Sequence, residues 1–336
     1  MVSDFPLSYA FSNLIIPHHY YWRMPIPLTY PGFKCVLEHL DAVKRAHIIG
    51  RTPGLQKVDK LIPLCLGNLI IVTDCFYNKL KINKLSIKCE KDEVKLKMNG
   101  KRFSCQISES LEDKMKKLIN FYICERSKIH VDNLNWNKSL LPDFLPVDSK
   151  LRVNSLAANT NQFDTLLPFI DPRSFPLKTM VTFSEPSTYN SYIATSAETL
   201  ILGSSFNTTI TLEELKKLKN KRVVFERVSF SSIDMVSLIE YHIETKKDIR
   251  TTFVITAVST IFINDILREF DEAFGDFRCY LLGVNERFVP GSSRFSIPIN
   301  NESRIQVYAT EDPDKDDRWK IVMKPVSAVY HFKHRY

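Results

Sequence analysis

Apolar positions near the start of the chain recur at helical spacing. A stripe at positions i, i+3, i+4 and i+7 is formed by Phe33, Val36, Leu37 and Leu40. Asp41 can cap a second helix that ends at Gly50, and Thr52 can begin a third that runs to Ile62. The pattern therefore predicts three short helices within residues 25–62.

The period then changes from helical to strand-like. Apolar side chains alternate with polar ones on both sides of Asn99-Gly100, at Val94, Leu96, Met98, Phe103, Cys105 and Ile107. This dipeptide is preferred in a two-residue type I′ turn. The sequence predicts a hairpin that pairs Leu96 with Phe103 and places Lys97 beside Arg102.

Further strands and one helix are expected around this hairpin. Residues 64–72 and 80–89 are predicted to complete the sheet. Ser110 can cap a helix whose buried stripe comprises Leu111, Met115, Leu118, Ile119 and Tyr122. Residues 135–150 contain two prolines among polar residues, which is typical of a connection between domains.

The second half of the chain alternates between strand-like and helical segments. The strand-like runs are 199–202, 223–228, 253–258 and 280–284, and the helical runs are 212–218, 233–243 and 261–270. This alternation predicts a parallel sheet lined by helices, in the manner of leucine-rich repeats. Period-two patterns at 295–299, 305–309 and 319–323 then predict an antiparallel meander.

These patterns together predict an α+β protein of two units. A short-helix and antiparallel-sheet unit comes first, followed by an α/β leucine-rich-repeat-like unit that ends in the meander. The expected parts are an N-terminal arm (1–24), a three-helix segment (25–62), an antiparallel sheet plus helix (63–134), a connection (135–150) and a ligand-binding domain (151–330).

Composition narrows the class of protein. The chain has 336 residues, of which 44% are hydrophobic and 25% charged, so it can bury a sizeable core. No run of 18 apolar residues exists, and the first residues lack the basic start of a signal peptide. The seven cysteines are odd in number and include no CxxC pair, which favours reduced thiols. We expect an intracellular protein, cytoplasmic or nuclear, with no membrane segment.

Positive charge is concentrated in one segment. Residues 78–128 hold 14 Lys and Arg against 7 Asp and Glu, whereas the whole chain has a net charge of +8. The candidate basic surface comprises Lys95, Lys97, Lys101 and Arg102, with Lys114, Lys116 and Lys117 as further candidates. Such a surface could bind an acidic protein, a nucleic acid or an acidic lipid, or could protect an edge strand from aggregation.

Motifs for catalysis, cofactors and metals are missing from the sequence. It contains no GxGxxG, GxxxxGK[ST], GxSxG or HExxH. The acidic run 312–316 imitates half of a calcium loop, but Asp317 occupies the glycine position and Met323 the position of the bidentate glutamate. We therefore expect a noncatalytic protein with no metal and no cofactor.

Several segments resemble a known family. They are Pro27-Leu28-Thr29-Tyr30-Pro31, residues 35–40, Arg51-Thr52-Pro53-Gly54-Leu55, residues 170–179, residues 196–202 and residues 215–218. In these segments the chain is similar to a nematode-expanded family defined by domain of unknown function number 3557 and related to nematode F-box proteins.

The resemblance implies a protein-interaction role. In F-box proteins, three short helices insert apolar side chains into a Skp1-like adaptor of a cullin ubiquitin ligase. The matching positions here are Leu28, Val36, Leu37, Leu40, Ile48 and Leu55. The chain would then be a substrate receptor. Two alternatives are an interaction or antagonist protein without a ligase partner, and a nucleic-acid binder that uses residues 78–128. The same apolar stripe would also be needed simply to pack the first domain onto its own sheet.

Overall fold

A computed structural model describes residues 30–123, 126, 128–138, 150–203, 209–226, 233–257, 259–281, 286–311 and 318–328. The chain divides into two compact units, Met1–Ser174 and Phe175–Tyr336. The expected N-terminal arm, most of the expected connection and the acidic run 312–316 lie outside the described residues.

The first unit begins with the three predicted helices. They are α1 (Tyr30–His39), α2 (Ala42–Arg51) and α3 (Gln56–Leu61). Asp41 caps α2 as expected, since its Oδ1 accepts from the backbone N–H of Val43 at 3.1 Å. Gly50 does not end α2, because the helix continues until the N–H of Thr52 donates to Ile49 O at 3.1 Å.

A mixed sheet follows the helices. Its strands are β1 (Leu64–Thr73), β2 (Asn78–Ile82), β3 (Leu85–Cys89), β4 (Glu93–Met98), β5 (Lys101–Gln106), β6 (Ile129–Lys138) and β7 (Leu151–Ala157), in the order β7-β6-β1-β2-β3-β4-β5. Strands β1 to β5 are antiparallel, whereas β6 and β7 run parallel to β1. Helix α4 (Leu111–Tyr122) supplies the crossover that a parallel return requires.

The parallel strands change two expectations about the first unit. Its sheet is mixed rather than antiparallel, and Asn135 continues β6 instead of starting a connection. Trp136 explains the second difference, because this side chain is 2% exposed and anchors the end of β6 in the core. Residues 151–174 also remain with the first unit, where β7 pairs with β6 and a short α5 (Phe163–Leu166) follows.

The hairpin prediction is confirmed in register and turn. Leu96 lies opposite Phe103, and Lys97 lies opposite Arg102. Asn99 and Gly100 have φ values of 49° and 82°. Positive φ at both central residues is what a type I′ turn demands.

The three parallel strands share an interruption in their pairing. The ladders join Leu66 to Val131 and Asn68 to Asn133 but skip the row of Gly67, Asp132 and Asn154. In β6 this leaves Asp132 and Asn133 both exposed between buried neighbours. The strict alternation of inward and outward side chains is therefore shifted by one position at the same level of β1, β6 and β7.

The second unit also combines parallel and antiparallel strands. Its strands are β8 (Thr179–Phe183), β9 (Thr199–Gly203), β10 (Arg222–Glu226), β11 (Thr252–Ala257), β12 (Phe295–Pro298), β13 (Ser303–Glu311) and β14 (Trp319–Ser327), in the order β8-β9-β10-β11-β14-β13-β12. Strands β8 to β11 are parallel, and β11 to β14 pair antiparallel. The predicted parallel neighbours and the predicted meander are thus both confirmed.

The helices of the second unit connect its strands. They are α6 (Pro186–Asn190), α7 (Tyr192–Ser196), α8 (Leu212–Leu215), α9 (Met235–Thr245) and α10 (Thr260–Phe274). Helix α10 contacts β11 and β14, and its buried side chains recur at helical spacing. The strand expected at 280–284 is not seen at Tyr280 and Leu281, and its remaining residues lie outside the described ranges.

Candidate functional site

The residues assigned to adaptor binding differ widely in exposure. Val36 and Ile48 are 47% and 39% exposed. Leu37 is 1% exposed, because it packs with Ile49 and Ile62 in the core of the three helices.

Two of the remaining members of this set lie between these extremes. Leu40 is partly exposed, Leu55 is partly buried against the same cluster, and Leu28 lies outside the described residues. A partner can contact only what the core leaves accessible, so Leu37 stabilises the helices whereas Val36 and Ile48 are free to meet another molecule.

A second candidate surface lies on the first sheet, where cations share the outward face of β2 to β5. We call this surface the basic face, and its members are Lys79, Lys81, Lys88, Lys95, Lys97 and Arg102. Alternation along each strand produces this arrangement, because Leu80, Ile87 and Leu96 point inward at the intervening positions. Three of the four predicted basic residues belong to the face. The fourth, Lys101, is exposed but does not belong to the face, because it pairs with Met98, and this pair points to the other side of the sheet from Lys97 and Arg102.

Acidic side chains neutralise one end of the basic face. Glu90 forms ion pairs with Lys88 at 2.8 Å and with Lys95 at 2.6 Å, and Glu93 pairs with Lys95 at 3.1 Å. Hydrogen bonds from Lys88 and Lys95 lower the pKa of Glu90 to about 2. These pairs offset the repulsion between Lys88 and Lys95, which lie directly opposite each other.

The other end of the basic face lacks such compensation. Lys97 and Arg102 lie opposite each other, both exposed, and within the described residues neither forms an ion pair. Like charges at directly opposite positions destabilise a sheet. This end of the basic face would therefore gain from contact with an acidic group.

Helix α4 does not add its cations to the basic face. Lys114 was expected on a charged surface, yet it is 1% exposed, and its Nζ donates to Glu90 O at 2.7 Å and to Lys91 O at 2.6 Å. Helical spacing explains this correction, because Lys114 adjoins Met115 and shares the buried side of α4 with Leu118. Lys117 pairs with Glu109 at 2.6 Å.

Two other kinds of site are absent from the described part of the chain. No group of three or more His, Cys, Asp or Glu side chains there is arranged to hold a metal ion. Among the described helices, none has the length and apolar character needed to cross a membrane.

Comparison with known proteins gives one match. No curated protein and no solved structure matches the chain. One family model matches, from the cap of α4 to the end of β11, and in this part the chain is similar to the expected domain of unknown function. The matching model is that of a domain of unknown function, DUF3557, and the match covers residues 110–257.

Proposed function

We propose that this protein acts by binding rather than by catalysis, and that the basic face binds an acidic protein partner. The observation that carries the proposal is the exposed pair of Lys97 and Arg102, whose mutual repulsion is not offset by a described carboxylate. An acidic side chain placed between them would convert an unfavourable pair into a favourable network.

The composition of the basic face favours a protein over a nucleic acid. Proteins that bind single strands stack bases on aromatic side chains. None of the outward positions of β2 to β5 is aromatic. Two aromatic side chains lie close to the face: Tyr77, whose ring is covered by Lys88 Nζ at 4.5 Å from its centroid, and Phe103, which is 37% exposed on the row of Leu96. Protection of the edge strand β5 from aggregation is the competing explanation for its exposed cations.

The resemblance to F-box proteins suggests a more specific form of this proposal. The protein would be an intracellular substrate receptor, in which α1 to α3 contact a Skp1-like adaptor and the leucine-rich-repeat-like second unit takes part in holding the substrate. Val36 and Ile48 support the adaptor contact, because both are exposed on adjacent helices. An interaction or antagonist protein without a ligase partner remains the alternative.

Charge reversal tests the basic face directly. The variant K97E/R102E is compared with K44E/K116E, which changes the net charge equally at exposed helical positions. Binding of fluorescent poly-glutamate and of a single-stranded oligonucleotide is followed by anisotropy at two salt concentrations. We expect K97E/R102E to weaken poly-glutamate binding by at least about tenfold at low salt, while K44E/K116E stays close to the unmutated protein.

Three results would contradict the proposal. Equal loss in both variants would mean that net charge alone drives binding. Unchanged binding in K97E/R102E would leave edge protection as the role of the cations. Tighter binding of the oligonucleotide than of poly-glutamate would favour the nucleic-acid alternative. The proposal that the protein is a substrate receptor is tested separately, by co-expressing a Skp1-like adaptor and measuring whether it is recovered with the protein. This proposal fails if the unmutated protein recovers no adaptor.

A further inference from the structure

A second group of cations lines a cleft of about 430 Å³ at the amino ends of β6 and β7. We call it the basic cleft, and its cations are Arg126, Lys128, Lys150, Arg152 and Arg173. Lys128 directly precedes β6 and Lys150 directly precedes β7. The two strands are parallel neighbours that begin in register at Ile129 and Leu151, so the two lysines meet at one edge of the sheet.

Hydrogen bonds hold much of the cleft wall in place. Arg173 donates to both carboxylate oxygens of Asp171, at 3.1 Å through Nε and at 2.7 Å through Nη2. The N–H of Asp171 donates to Leu151 O at 2.8 Å, and Lys150 Nζ donates to Pro168 O. These bonds restrain Lys150 and Arg173 in the free protein, so an incoming anion would lose less of its binding energy to immobilising these two side chains.

The cleft contains more positive than negative charge. Asp171 is the only carboxylate among its described lining residues, against five cations. Hydrogen bonds from Arg173 lower the pKa of Asp171 to about 2. Lys128 and Arg152 are exposed, and within the described part of the chain neither forms an ion pair. Their donors remain available to a ligand.

Excess positive charge continues beneath the cleft. The carboxylate of Asp59 is shared by Arg45, at 2.5 Å, and by Arg126, at 2.6 Å, with the three side chains no more than 5% exposed. Two guanidinium groups thus face one carboxylate in a desolvated setting, which is costly. An anion bound in the cleft beside Arg126 would offset this excess.

A polar groove leads away from the cleft and indicates the kind of ligand. His130 lines both, and the groove is further lined by Cys65, Gly67, Asp132 and Asn154. Asn154 Nδ2 donates to Asp132 Oδ1 at 2.9 Å. A nucleic acid carries a phosphate on every nucleotide and would bring a second negative charge toward Asp132. A peptide with one phosphate would place neutral groups there.

We propose that the basic cleft binds the phosphoryl group of a phosphorylated protein segment, whose neighbouring residues lie in the groove beyond His130. Arginine and lysine together supply the planar forked donors and the point charges that phosphate recognition uses. This site lies on strands other than those of the basic face, and the inference does not rest on the function proposed there.

Direct binding measurements test the inference. The probes are the peptide acetyl-Gly-Gly-phosphoserine-Gly-Gly-amide, the same peptide without phosphate, inorganic phosphate and a ten-nucleotide single-stranded DNA, each titrated calorimetrically into the full chain. The variant K128A/R152A removes the two exposed cations, and K44A/K116A is the matched control. Circular dichroism checks that both variants fold.

We expect the phosphopeptide to bind at least about tenfold more tightly than the other three probes. K128A/R152A should weaken that binding at least about tenfold, whereas K44A/K116A and K97E/R102E should not. Equal affinity for inorganic phosphate would mean that the cleft holds a free oxyanion, and tighter binding of the DNA would make it a nucleic-acid site. Either result, or unchanged binding in a folded K128A/R152A protein, would overturn the inference.

Discussion

Replacing Asp59 by asparagine should destabilise the protein strongly, because this carboxylate neutralises two buried guanidinium groups. Arg45 Nε lies 2.5 Å from Oδ1, and Arg126 Nη1 lies 2.6 Å from Oδ2. The amide of asparagine has one oxygen and one NH₂ group. It can accept from only one of the two arginines and presents donors to the other.

The size of the effect follows from burial and from the remaining partners. Removing one member of a buried ion pair typically costs about 3–5 kcal/mol. Arg45 keeps hydrogen bonds to the carbonyl oxygens of Pro63, Asp59 and Ile62 at 2.8, 2.9 and 2.9 Å, which favours the lower end. At about 2–4 °C per kcal/mol for a unit of this size, a loss of about 3 kcal/mol lowers the melting temperature by about 6–12 °C.

Urea denaturation followed by circular dichroism, together with a thermal melt, measures this loss. Arg126→Met is the informative comparison, because it leaves Arg45 and Asp59 as a neutral pair and keeps an apolar stem of similar length. We expect Arg126→Met to cost clearly less than Asp59→Asn. If Arg126→Met were equally damaging, or if Asp59→Asn cost under about 1 kcal/mol, the shared carboxylate would not be the source of stability.

Three further predictions concern other parts of the first unit. Burial lowers the pKa of His47 to about 4, so the unfolded chain takes up a proton at this residue before the folded chain does as the pH falls. The free energy of unfolding, measured in urea titrations, should therefore fall by up to about 3 kcal/mol between pH 7 and pH 4, and its pH dependence should be weaker in His47→Gln. Leu37→Asp should lower the melting temperature sharply, since it buries a carboxylate, whereas Val36→Asp should leave the melting temperature nearly unchanged and reduce any recovery of a Skp1-like adaptor. Similar melting temperatures for the two variants would contradict the core position of Leu37. Gly100→Ala should cost about 1 kcal/mol in urea denaturation because φ is positive there, whereas Gly54→Ala, at ordinary φ, should be neutral or slightly stabilising.

The sequence predicts best those features that neighbouring residues determine. In the hairpin, period-two alternation selects the strands and Asn99-Gly100 selects the turn, so even the pairing of Lys97 with Arg102 follows from local information. The helices α1 to α3 and the parallel strands of the second unit were predictable for the same reason, because each follows from periodicity within a short window.

Features that depend on distant residues were not predicted. Along the sequence, strands β1 to β5 and helix α4 lie between Asp59 and Arg126, and no local pattern marks a buried ion pair between these two residues. Lys114 resembles a surface lysine, and only the two backbone carbonyls near the end of β3 make its burial possible. The basic cleft was missed because its cations are dispersed along the chain, although one signal existed: a lysine directly precedes both β6 and β7, at Lys128 and Lys150.

The row that the pairing ladder skips constrains how this sheet can evolve. Gly67, Asp132 and Asn154 occupy the same level of three neighbouring parallel strands. Deleting one residue from a single strand would move its apolar side chains to the solvent face while the adjacent strands kept theirs inside. Related chains should therefore keep or lose this extra residue in all three strands together, and insertions or deletions in one strand alone should be selected against.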